Sequence, residues 1–226
     1  MKEWENDDEL FKLIRNELFT AVIGDILDKL GYLHQFLPPT LHPLNDKMVM
    51  AGRAMTVLEA DIDQISDGNL LKKPFGLMLE ALDDLKKNEV YICSGASPTY
   101  ALWGELMATR AKLLGAAGAV VDGYSRDTPG ILALDFPCFS YGSYAQDQEP
   151  RGKVVDYRIP IRCGQVLVEP GDIIFGDQDG VCVIPKSVEQ EVLEKAFEKV
   201  RTERTVKMKL EEGMSACEAF ARYAVM

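Results

Sequence analysis

Apolar residues in DDELFKLIRNELFTAVIGDILDKL (7–30) recur at the spacing of one helix face and predict one or two amphipathic helices. A proline-rich turn, LPPTLHPL (37–44), follows, and MAGRAMTVLEA (50–60) then alternates as a strand does. GLMLEALDDLKKNE (76–89) predicts a helix and VYICSG (90–95) a short buried strand closed by glycine. YALWGELMATRAKLLG (100–115) predicts a helix stopped by a C-terminal glycine, and AGAVVDG (117–123) another buried strand. Strands and tight turns are predicted through PCFSYG (137–142), VVDYRIPI (154–161) and CGQVLVEPGDIIFGDQDGVCVIP (163–185). A charged amphipathic helix over 187–212 and a short apolar tail complete the chain. With no repeat or low-complexity linker, residues 1–226 are expected to form one domain. The first half alternates strand and helix, and 137–185 is strand-rich. This pattern predicts a layered α/β domain.

Topology draws candidate chemistry to residues 90–127. A strand at 90–94, a helix at about 101–114 and a strand at 118–122 predict a right-handed βαβ unit. The helix start and the loop GYSRD then meet at one sheet edge, where open α/β sheets place ligands. Glu105 can therefore face Arg126 and Asp127. Backbone N–H groups around Gly104, Glu105, Leu106 and Met107 can hold a substrate carboxylate, aided by the helix dipole. Asp127 offers a hard oxygen to Mg²⁺ or Mn²⁺, with Glu105 acting through water. Arg126 offers a permanent planar cation to an oxygen that becomes an enolate. The bland alternatives are a surface ion pair at 126–127 and a favourable first-turn acid at 105.

Composition narrows the classes. A net charge of −11 argues against nucleic acid or an anionic membrane as partner. No run approaches the roughly 18 apolar residues of a membrane span, and the polar MKEWENDDEL start does not read as a signal peptide. A cytoplasmic location is expected. Five scattered cysteines without a CxxC read as free thiols, and His34 and His42, the only histidines, make a histidine-type zinc site improbable. GAAGAVVDG lacks a phosphate-loop pattern, and DIDQISDG (61–68) fails the calcium-loop spacing.

At these residues the chain resembles the family of class II 4-hydroxy-4-methyl-2-oxoglutarate aldolases and the regulator of ribonuclease activity A. The resemblance runs over roughly 15–215, through TAVIGDILDKLG, MAGRAMTV, SDGNLL, WGELMAT, GAVVDGYSRD and PGDIIFGDQDGVCVIP. Its most specific element is an acid, twenty intervening residues, then Arg-Asp: here Glu105, where the family commonly has Asp, and Arg126-Asp127. The resemblance implies that Asp127 binds Mg²⁺, that Glu105 acts through water, and that Arg126 contacts the pyruvate carbonyl oxygen. It implies that the amides of Leu106 and Met107 hold the carboxylate, and that Glu203 reaches a neighbouring subunit's metal site through water. A layered β/β/α swivelling-domain fold with a C-terminal helix, and a homotrimer or hexamer, are implied as well. Gly130 stands where the family's aldolase-type motif carries an acid, which favours a broader reading.

The expected function is a metal-dependent lyase that cleaves or decarboxylates a small 2-oxo acid through a pyruvate enolate. No Schiff-base lysine is nominated, and the general base is not identified. The alternative implied by the resemblance is a non-catalytic regulator that binds a ribonuclease. A methyltransferase is disfavoured because no glycine-rich cofactor loop follows a first strand.

Overall fold

A computed structural model describes residues 4–224. The N-terminal helical pattern resolves into α1 (Asp7–Glu17) and α2 (Thr20–Lys29), separated by extended backbone at Leu18 and Phe19. The Asn6 side chain caps α1 by accepting from the Glu9 amide. Next come β1 (His42–Pro43), β2 (Met50–Asp61), α3 (Gly68–Leu71), α4 (Met78–Asp83) and β3 (Glu89–Ser94). The central stretch holds β4 (Ala101–Trp103), α5 (Glu105–Leu113), β5 (Gly118–Val121), β6 (Tyr124–Ser125) and α6 (Thr128–Ala133). The strands β7 (Cys138–Ser140), β8 (Gly152–Tyr157), β9 (Ile161–Cys163) and β10 (Val166–Val168) follow. Then come β11 (Ile173–Asp177), β12 (Gly180–Ile184), α7 (Glu189–Glu211) and α8 (Ala216–Tyr223).

The main sheet runs β1-β7-β5-β3-β2-β11-β12, with β8 also on β2. Its centre, β2-β3-β5-β7, is parallel, and β1, β8, β11 and β12 join antiparallel. Tyr91, Cys93, Ala119 and Val121 pack with α4, α5 and α6 on one face. Val90, Ile92 and Val120 pack on the other face with Ile161, Cys163, Val166 and Val168 of the small β9-β10 sheet. Helix, main sheet and small sheet are thus stacked in the layered α/β class expected. A third cluster joins α1, α2 and α7 to β11 and β12.

Because β2 lies between layers, its burial is nearly continuous rather than alternating. Arg53 within it is neutralised by Asp7 and Glu189, one from α1 and one from α7. The helix predicted over 76–89 is shorter, spanning Met78–Asp83. After it, Asn88 adopts φ 65° as the chain turns into β3.

Candidate functional site

The helix predicted from about residue 101 begins at Glu105, because Ala101–Trp103 form a strand first. After β3 and β5, the chain adds short extensions, β4 and β6, which pair in parallel through Ala101↔Tyr124 and Trp103↔Ser125. The Arg126 amide then donates to the Trp103 carbonyl at 2.8 Å. This pairing, rather than the edge of β3 and β5 itself, sets Gly104-Glu105 beside Arg126-Asp127.

Asp127 has left-handed backbone, φ 58° and ψ 34°. Aspartate is among the few non-glycine residues that tolerate it, and such backbone is enriched at functional sites. The turn sends the chain into α6, with Pro129 in that helix's first turn, and folds the carboxylate back over Gly104. A Cβ on Gly104 would stand 2.8 Å from Asp127 Oδ2, so any larger residue there would push the carboxylate aside from this approach. Gly104 provides no side-chain cap to α5, leaving the first-turn amides of Glu105, Leu106 and Met107 for an anionic partner.

Arg126 Nε lies 3.8 Å from Asp127 Oδ2, and its Nη1 lies 2.9 Å from Asp147 Oδ1. All three side chains remain 38–48% exposed, so they are open to a ligand. Residues 126–129, with Ser143, Tyr144 and Ala145, also line an open depression of ≈ 460 Å³. Thr128 and Ser143 hydroxyls lie 2.6 Å apart and tie α6 to that loop.

Gly104, Glu105, Arg126 and Asp127 are therefore together, with the Leu106 and Met107 amides in the same first turn. Glu203 stands apart: it lies on α7, where its carboxylate pairs with Lys199 at 3.2 Å. Sequence reasoning misses Asp147, since nothing in SYAQDQEP signals a partner for Arg126 twenty-one positions earlier. Oxygen donors at 127 and 105 suit Mg²⁺ or Mn²⁺ that keep most of their waters. Among the described residues no cluster of three or more His, Cys, Asp or Glu is placed to hold a metal.

Behind the site, Glu59 is fully buried, and that burial pushes its pKa up to about 8 against a favourable hydrogen bond from Gln148. Glu59 Oε1, Tyr91 Oη and Trp103 Nε1 are buried polar atoms without a protein partner. The thiols of Cys93, Cys138, Cys163 and Cys182 are raised by burial, which makes them core groups rather than nucleophiles.

This is an α/β protein whose parallel strand extensions present an arginine and two carboxylates at a helix start. It belongs to the RraA-like family (Aldolase/RraA), whose model matches residues 20–183. A curated relative from Halalkalibacterium halodurans, provisionally named a 4-hydroxy-4-methyl-2-oxoglutarate aldolase, is 34% identical over 202 residues, 89% of each chain. A solved structure described among novel cellulases from gut-associated microbes has a TM-score of 0.80 at 33% identity, covering 91% of this chain and 90% of that one. Streptomyces coelicolor RraAS2, described as an unusual member of the RNase ES inhibitor RraA family, has a TM-score of 0.77 at 26% identity. That match covers 91% of this chain and 99% of RraAS2. No helix among the described residues is long and apolar enough to cross a membrane.

Proposed function

We propose that this chain is a divalent-metal-dependent lyase that cleaves or decarboxylates a small 2-oxo acid through a pyruvate enolate. Both 4-hydroxy-4-methyl-2-oxoglutarate aldolase and oxaloacetate decarboxylase chemistry fall within this reading. The observation that carries it is the Asp127 carboxylate folded back over Gly104, beside Arg126 and the first turn of α5. The aldolase name of the Halalkalibacterium relative supports the same class.

A bound Mg²⁺ or Mn²⁺ would supply Lewis-acid withdrawal of electrons from the 2-oxo group. Asp127 would hold it directly, and Glu105 would serve it through water. The amides of Leu106 and Met107 bind the substrate carboxylate and fix its orientation. Arg126 donates to the 2-oxo oxygen and stabilises the negative charge that grows there as the C–C bond breaks. Asp147, at 2.9 Å, aims the guanidinium without neutralising the whole fork.

The site is proposed to be completed by Glu203 of a neighbouring copy in a homotrimer or hexamer. Leu106, in the first turn of α5 and 83% exposed, leaves apolar surface next to the site that assembly would cover. The protein is proposed to act in the cytoplasm, away from nucleic acid and membrane.

The test is pyruvate release from oxaloacetate and from 4-hydroxy-4-methyl-2-oxoglutarate, with Mg²⁺ and then with chelator. Metal-dependent release from either substrate is expected, and chelator-insensitive turnover would defeat the metal assignment. A ribonuclease-binding regulator is the second reading, favoured by the RraAS2 likeness and the −11 charge, which suits a basic partner. Ribonuclease capture without detectable turnover would reverse the order.

A further inference from the structure

Gly130 lies inside α6, in helical backbone that any L-residue adopts, and glycine there weakens the helix relative to alanine. No turn or left-handed φ accounts for it. A Cβ on Gly130 would stand 2.2 Å from both Cδ and Oε2 of Glu105, and 2.6 Å from its Cγ. The space beside the Gly130 Cα is filled by the Glu105 carboxylate. Glu105 itself is an exposed side chain with several rotatable bonds, and its own helix does not fix where the carboxylate points.

We propose that Gly130 is a positioning residue: its missing Cβ is the seat that aims the Glu105 carboxylate across the α5–α6 junction. The inference rests on the lyase reading for the use made of that carboxylate. Seated there, Glu105 is held beside the helix that starts immediately after Asp127, where it can serve the same cation through water. Positions 105 and 130 are therefore coupled. A Cβ at 130 would drive the glutamate at 105 off this seat, its Cγ as well as its carboxylate, whereas an alanine at 105, which ends at Cβ, has nothing there to displace.

Four proteins test this: wild type, G130A, E105A and the E105A/G130A double variant, each assayed for Mn²⁺ affinity by calorimetry and for pyruvate release. G130A in the wild-type background is expected to weaken Mn²⁺ binding by about tenfold or more, the usual loss for a displaced outer-sphere partner. In the E105A background the same change should alter Mn²⁺ affinity by less than about twofold, since no carboxylate at 105 remains to be displaced. A neutral G130A, or an equal loss in both backgrounds, overturns the proposal. A wild type that binds Mn²⁺ without releasing pyruvate sinks the lyase reading, while the Mn²⁺ cycle still decides the seat. A wild type that does neither overturns both.

Discussion

Arg126 is the residue on which the proposed chemistry most depends, and its neighbours show why. Its guanidinium is held by Asp147 at 2.9 Å and stands 3.8 Å from Asp127, yet 38% of the side chain stays exposed. If it stabilises a developing enolate, R126A should lower kcat by about 10²–10³, and single-turnover pyruvate release would show it. An unchanged rate would remove Arg126 from the mechanism. The Asp147 pair is half-open to solvent, so its worth is at most about 1 kcal/mol, or roughly a fivefold effect. D147N should therefore reduce kcat/KM by no more than about fivefold, with the deficit shrinking as salt rises. A loss as large as that of R126A would mean that Asp147 does more than aim the arginine.

The element that decides the site is the β4–β6 pair. Each strand is two or three residues long, and neither stands out by hydrophobic pattern, so the sequence reads Ala101–Trp103 as helix. The parallel pairing is what carries Gly104 to Asp127. A similar long-range contact starts α2, whose N-cap position, Phe19, has no capping side chain. Asp177 at the end of β11 performs the capping instead, accepting from the Thr20 amide and hydroxyl, both at 2.7 Å. D177A should cost about 1–2 kcal/mol, the usual worth of a helix cap. Thermal melts should place it roughly 2–8 °C below wild type. An unshifted Tm would show that Thr20 finds water as good a partner.

At the scale of the whole molecule, Glu59 is the titratable group that folding perturbs most tellingly among the carboxylates. Its pKa is about 8 in the buried site against an ordinary 4.5. A carboxyl raised in this way is protonated in the folded chain when the unfolded chain has already lost its proton. Its contribution to stability is complete below pH 4.5 and is lost as pH rises through about 8. E59Q keeps an acceptor for Gln148 but cannot ionise. Its Tm should match wild type near pH 4.5 and exceed it at about pH 8.5, flattening the decline between. Parallel Tm curves for the two proteins over that range would show that Glu59 is not the group responsible. Because Gln148 neighbours Asp147, the same buried carboxyl also anchors the loop that holds Arg126.

The sequence by itself determined the layered α/β class and the central βαβ unit. Both rest on apolar periodicity and on the handedness of crossover connections, which are local or nearly local properties. It also singled out Glu105, Arg126 and Asp127, because two of these are adjacent and the third opens a helix one strand earlier. Only the tertiary structure decided how they meet. The left-handed Asp127, the Cβ-free approach at Gly104, the Glu105 carboxylate seated on Gly130 and the Asp147 partner all depend on distances between separate segments. No spacing along the chain encodes those distances, since β4 and β6 are too short to announce themselves and Asp147 arrives on an irregular loop. Arg126 and Asp127 are thus legible as chemistry in the sequence, and as a site only once β4 and β6 lie side by side.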